Sequence, residues 1–180
     1  MKLKFDSSQP YQLKAVSSIV DLFEGQPLSQ GDFSIELTAF DSFGQKSVLQ
    51  SELGIGNNLL LTDEAILANL HRIQESNELD STPEEEFKSN GLNLSVEMET
   101  GTGKTYVYLR TIFELSHKYG FKKFIIVVPS VAIREGTLKN IEITKDHFRA
   151  LYNNIEFESF VYDSKKANRL RQFATSNQLQ

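Results

Sequence analysis

The chain has 180 residues, 39% hydrophobic and 24% charged, with a net charge of −5 and no cysteine. That profile suits one folded domain with a real core and excludes a disordered polymer, a disulfide-stapled scaffold and any thiolate metal site. The charge is unevenly divided. Residues 1–100 carry 6 Lys and Arg against 17 Asp and Glu, whereas residues 101–180 carry 13 against 7. A basic second half suits a phosphate polymer such as nucleic acid, and suits a solvated helical surface equally well. The longest strongly apolar run, Phe124 to Val128, is far too short to cross a bilayer, and MKLKFDSSQPY has no apolar signal core after its lysines. A soluble, cytoplasmic protein is the expectation, with no membrane partner.

In chain order, Lys2 to Phe5 reads as a short edge strand. A helix follows, with Pro10 at its first turn and Leu13, Val16, Ile19, Val20 and Phe23 at helical spacing, stopped by Gly25 and Pro27. Phe33, Ile35 and Leu37 alternate like a strand that pairs with Ser47 to Leu53. Thr62 is placed as an N-cap, with Asp63 and Glu64 in the first turn and Ile66, Leu67, Leu70 and Ile73 as the apolar stripe. NELDSTPEEEFKSN, residues 77–90, is acidic and polar and reads as an exposed linker.

From Gly91 the pattern changes. Leu92, Leu94, Val96 and Met98 alternate into a glycine loop, and a helix marked by Val107, Leu109, Ile112 and Phe113 runs to Gly120. Lys123 to Val128 is a buried-strand candidate, followed by a helix from Val131 to about Tyr152 that Gly136 should break or kink. Ile155, Phe157, Phe160 and Val161 suggest another strand, and a basic helix begins at Ser164. Strands alternating with helices imply an α/β fold with a mainly parallel sheet and helices on both faces.

The loop, SVEMETGTGKTYVYL, carries the chemistry. Gly101 and Gly103 flank Thr102, and Lys104 and Thr105 open the next helix. Glycines let backbone N–H groups close on an anion. A lysine reaches β/γ oxygens, a hydroxyl serves Mg²⁺, and the helix dipole favours negative charge. A chance glycine turn is the bland alternative. G-x-G-K-T arises at random in about 0.3 per cent of chains this long, and here it also sits between an apolar run and a helix. We therefore read it as a P-loop (Walker A) that binds ATP with Mg²⁺, although the first glycine of the usual G-x-x-x-x-G-K-[ST] pattern is replaced by Met98.

Around this loop, MKLKFDSSQPYQLKAVSSIVDLFEGQP, NLSVEMETGTGKTYVYLRTIFELSHKYGFKKFIIVVPSVAIREG and LKNIEITKDHFRALY resemble the Res subunit of type III restriction-modification enzymes. The match is dense over residues 1–27 and 92–152 and looser between them. The resemblance implies the N-terminal part of a RecA-like, superfamily-2 helicase motor lobe spanning 1–180, with 28–91 as an insertion and 92–180 as the phosphate-loop strand and the α/β units after it. It implies double-stranded DNA and a Mod methyltransferase subunit as partners, and ATP-dependent endonuclease activity in a full-length hydrolase. It matches Gln12 to the adenine-reading glutamine, with Gln9 and Tyr11 as minor helpers. Ser130 and Arg134, in VVPSVAIREG, match a motif that holds a DNA backbone. Taken alone, Gln12 is a solvated residue on a first helical turn and Ser130 an ordinary helix cap.

Hydrolysis needs an Asp to hold Mg²⁺ and a Glu to orient water. LLLTDEAI lies upstream of the loop and reads better as a helix start; Asp163 in FVYDS reads as a cap for the basic helix. The acidic pair is therefore expected beyond residue 180, and catalytic participation here is limited to Lys104. His71, His117 and His147 suggest no metal site. Three other readings stay open: another superfamily-2 helicase or translocase, a small P-loop kinase, and a non-catalytic nucleotide-binding remnant.

Overall fold

The computed structural model describes residues 5–28, 31–40 and 46–180, with backbone alone over 31–40 and 46–53 and at Ala167. The expected edge strand, Lys2 to Phe5, lies outside the described residues except for Phe5, which is not in a strand. Pro10 occupies the first turn of α1 (Pro10–Val20), where its missing N–H leaves no bond unmade. A 3-10 turn over Asp21–Phe23 continues it, and Gly25, at φ +92°, turns the chain away in a conformation that L side chains rarely adopt.

Two strands follow, β1 (Gly31–Phe40) and β2 (Lys46–Gly56), paired antiparallel with Gly31 opposite Gly56 and a register irregularity at Leu37/Thr38. Beyond this hairpin the chain is clamped back on the rest. Asn57 accepts from the N–H groups of Lys122 and Lys123 and donates to the Lys123 carbonyl, while Gln26 bonds the backbone of Asn58 and Leu60. Helix α2 (Asp63–Ser76) starts where expected, with the Thr62 hydroxyl accepting from Ala65 N–H.

The acidic stretch 77–90 departs from the expected linker. Residues 84–90 form a short helix, α3 (Glu84–Asn90), whose Phe87 is buried against Leu22, Ile66 and Leu70. Gln74 holds Thr82 through both its backbone N–H and its hydroxyl, and His71 bonds the Thr82 carbonyl. The segment stays mostly exposed, as expected, but Phe87, one aromatic among eleven polar neighbours, is buried and pins it as a helix.

Helix α4 (Lys104–Tyr119) ends at Gly120, left-handed at φ +78°. Helix α5 (Val131–Leu151) runs unbroken through Gly136, correcting the expected kink. Glycine costs a helix only about 0.5–1 kcal/mol, too little to interrupt 21 residues that are packed on one side. Nothing lies within 4 Å of a Cβ built on Gly136. Gly136→Ala should therefore stabilise the fold by about 0.5–1 kcal/mol in urea unfolding. The basic helix α6 (Ala167–Thr175) begins three residues later than expected. Asp163 does not cap it: its carboxylate accepts from Lys165 N–H in the preceding turn, and Lys166 is the capping residue.

The three stretches expected as parallel strands, 92–98, 123–128 and 155–161, form no regular ladder among the described residues. What exists is a parallel bridge from Phe157 to Leu179, with Gln180 bonded to the backbone of Lys122 and Phe124. Alternating apolar residues specify which face is buried; a ladder also needs a partner backbone in register, and no backbone hydrogen bond reaches 92–98 among the described residues.

Two clusters make the main core. Val16 and Val20 of α1 meet Val107, Leu115 and Tyr119 of α4, with Phe121 beyond. Tyr106, Leu109 and Phe113 on the other side of α4 meet Phe148 and Tyr152 from α5 and its end, and Leu179. Helix α4 is thus packed on both sides, which fixes the position of the loop that opens it. Among the described residues, no helix is long and apolar enough to cross a membrane.

Candidate phosphate-binding site

The site is the turn between Glu99 and the start of α4. Gly101 and Gly103 both stand at φ +86°, a backbone state that costs glycine nothing and side-chained residues strain. The Thr102 hydroxyl donates to the Glu99 carbonyl at 2.7 Å and closes the turn. Gly103 is the residue before the helix and makes no side-chain cap, so the first N–H groups of α4 have no intrahelical acceptor. Lys104 is exposed and has no carboxylate partner among the described residues; Thr105 is half-buried beside it. Free N–H groups, a helix N-terminus and an unpaired cation are together an arrangement that could hold an anion.

Gln12 joins this loop from another element. Its Nε2 donates to the Thr102 carbonyl at 2.9 Å, from the first turn of α1. A Cβ on Gly103 would stand 2.6 Å from the same nitrogen and push the Gln12 amide aside, on top of the strain a side chain meets at φ +86°. One Nε2 hydrogen is engaged by Thr102; the second, together with Oε1, remains for a ligand edge. Gln9, by contrast, donates to Asp6 at 2.6 Å, and Tyr11 is exposed. The Ser8 hydroxyl and N–H also bond Asp6 and lower its pKa.

Arg110 sets the position of this segment, a role the sequence concealed. It is 7% exposed, and its guanidinium donates to the Ser7 carbonyl, tying α4 to the residues ahead of α1. Glu114 lies 3.8 Å from Arg110, a Coulombic contact, and accepts from the Tyr152 hydroxyl at 2.8 Å. An arginine on a helix reads as a solvated charge; only the tertiary partners reveal otherwise.

Tyr106, two residues after Lys104, shares a 2.9 Å hydrogen bond with His147 of α5, and Phe5 packs on both rings. Burial first, and the Arg110 charge second, push the His147 pKa below 6.5. A depressed imidazole contributes stability that is present above pH 6.5 and lost as pH falls through its lowered native value, because the unfolded chain takes the proton first. The unfolding midpoint should therefore drop on acidification below pH 6.5, and His147→Gln should lessen that drop. An unchanged slope in the variant would remove His147 as its source.

Ser130 and Arg134 sit together on the first turn of α5, but no hydrogen bond links them to the loop among the described residues. The Ser130 hydroxyl accepts from Ile133 N–H at 3.3 Å as an N-cap, and the Arg134 guanidinium is paired with neighbouring Glu135 at 2.9 Å. No group of three or more His, Asp or Glu side chains poised for a metal exists among the described residues.

Comparison with known proteins identifies the family. The family model described as "Type III restriction enzyme, res subunit" matches residues 6–179. The chain is 32% identical over 166 residues to the EcoPI Res subunit of Escherichia phage P1, covering 90% of this chain and 15% of that protein. It is 39% identical over 111 residues to the EcoP15I Res subunit of Escherichia coli, covering 60% of this chain and 11% of that one. It is 50% identical over 68 residues to the StyLTI Res subunit of Salmonella typhimurium, covering 37% and 7%. The chain therefore spans a small part of the length of these relatives. With nearly every residue inside the family model, the chain belongs to the Res-subunit family of type III restriction enzymes.

Proposed function

We propose that this chain is the ATP-binding portion of a DNA-translocating motor that serves type III restriction. The observation that carries the reading is the junction of Gln12 with the Thr102–Gly103 turn, set against an uncapped helix N-terminus and an unpaired Lys104. These residues fit a nucleoside triphosphate: the free N–H groups and Lys104 would hold the β/γ phosphates, and Thr105 would turn its hydroxyl to Mg²⁺. Bound ATP supplies the phosphoanhydride energy; this chain's residues bind and orient it. Gln12 would read the adenine edge while keeping its bond to Thr102, so base recognition and the phosphate loop share one side chain.

In the same reading, 28–91 is an insertion in a RecA-like lobe, and residues 92–180 supply its phosphate-loop strand and following α/β units. Ser130 and Arg134 would face a DNA backbone, which requires Arg134 to exchange Glu135 for phosphate. Double-stranded DNA, a Mod methyltransferase subunit and a cytoplasmic setting complete the proposal. DNA cleavage belongs to the whole protein rather than to these residues.

Adenine reading is tested by Gln12→Ala. ATP affinity should fall by about 1–3 kcal/mol, the range for one bidentate amide–base pair, with GTP affinity much less changed. Equal losses for both nucleotides would reduce Gln12 to a support for the loop.

A further inference from the structure

Arg110 lies six residues beyond Lys104 on α4, about 9 Å further along the helix axis. For a buried side chain it is a poor stabiliser. Its Nε has no hydrogen-bond partner among the described residues, and the Glu114 carboxylate stands 3.8 Å away. A buried charge met so incompletely adds less to stability than a well-packed apolar residue of its size. What the guanidinium does supply is a fixed tie, from Nη1 to the Ser7 carbonyl at 2.5 Å.

The chain between that tie and Gln12 is stiff. Asp6 accepts from the Ser8 N–H at 2.8 Å, the Ser8 hydroxyl at 2.5 Å and the Gln9 amide at 2.6 Å, which closes a turn around Ser7. Phe5 stacks on Tyr106, one turn before Arg110 on the same face of α4. Pro10 then sets the entry into α1, and Leu13 N–H donates to the Gln9 carbonyl at 3.0 Å. Gln12 finally returns to the Thr102 carbonyl. Phosphate loop, α4, Arg110, residues 5–9 and Gln12 therefore form a closed circuit.

We propose that Arg110 is a positioning residue for base selection. Through Ser7 it sets the reach of the Gln12 amide, and so governs the preference for ATP over GTP without touching the nucleotide. The inference rests on the adenine-reading role proposed for Gln12. An amide reads a base edge only when its donor and acceptor meet that edge at hydrogen-bond distance and in its plane. A shift of about 1 Å at the start of α1 is enough to lose the pair. The phosphate contacts offered by the loop N–H groups and Lys104 do not pass through Ser7, so they are spared.

The test is a double-mutant cycle, titrating fluorescent ATP and GTP analogues into the native chain, Arg110→Met, Gln12→Ala and the double variant. Methionine keeps the apolar bulk of the arginine stem and removes its donors. In Arg110→Met the ATP-to-GTP affinity ratio should fall at least about fivefold, with GTP affinity unchanged within about twofold. In the Gln12→Ala background the same substitution should leave both affinities unchanged. Equal losses for the two nucleotides, or a loss that persists without Gln12, would make Arg110 purely structural and overturn the proposal. Should methionine prevent folding, Arg110→Lys, which keeps the charge but not the planar fork, decides on the same ratio. A fall of at least about threefold is expected there, beyond the error of such cycles, and an unchanged ratio overturns the proposal. The reading of Gln12 fails in a different way: Gln12→Ala would itself leave the ratio unaltered.

Discussion

Phe148→Ala is expected to lower unfolding free energy by about 3–5 kcal/mol, the range for emptying an aromatic site in a packed core. Phe148 is 1% exposed and is the aromatic centre of the α4–α5 contact. Its ring centroid lies 4.7 Å from Phe113, 5.3 Å from Tyr106 and 6.4 Å from Tyr152. Each such pair adds about 0.5–1.5 kcal/mol beyond buried area, so three are lost at once. The cavity cannot collapse easily, because α4 is held on its other side by Val16 and Val20. Nucleotide affinity should fall as well, since Tyr106 backs the helix turn that presents Lys104. Urea unfolding measures the first effect; a loss below about 1 kcal/mol would mean that α5 is not seated on α4 as described. Phe148→Leu, which refills much of the volume, should recover most of the stability.

Lys104→Ala has the opposite profile: a large functional loss with no cost to folding. Lys104 is exposed and has no partner among the described residues, and alanine is the better helix former at the first position of α4. The unfolding midpoint should stay level or rise slightly. ATP affinity should fall about 10- to 150-fold, the loss of one charge-assisted hydrogen bond to the triphosphate. A variant that unfolds more easily would show that Lys104 has a structural partner.

What was legible in the sequence followed from local chemistry. Pro10 at a helix start, Thr62 as a cap, the hairpin over 31–56 and the glycine turn into α4 each rest on a few adjacent residues whose conformational preferences agree. The misreadings arose where distant partners decide. Phe87 is buried by α2 and the 3-10 turn rather than by anything within 77–90, and packing carries α5 across Gly136. Arg110 is buried with its guanidinium on the Ser7 carbonyl, 103 residues away. At the site, the loop glycines and Lys104 could be picked out from their order alone. That Gln12 touches the Thr102 carbonyl could not, because 90 residues separate them. The expected parallel strands rested on apolar stretches alone, and of that sheet only the Phe157–Leu179 bridge is seen among the described residues, since pairing is a property of two backbones.

The central claim is that the turn from Gly101 to Thr105 holds the phosphates of ATP. Its most direct measurement is a titration of the native chain and of Lys104→Ala with a fluorescent ATP analogue, with Mg²⁺ present. The account predicts saturable binding by the native chain, displaced by unlabelled ATP, and at least about tenfold weaker binding by a variant that remains folded. Equal affinity in the two proteins, or binding that unlabelled ATP does not displace, would contradict it.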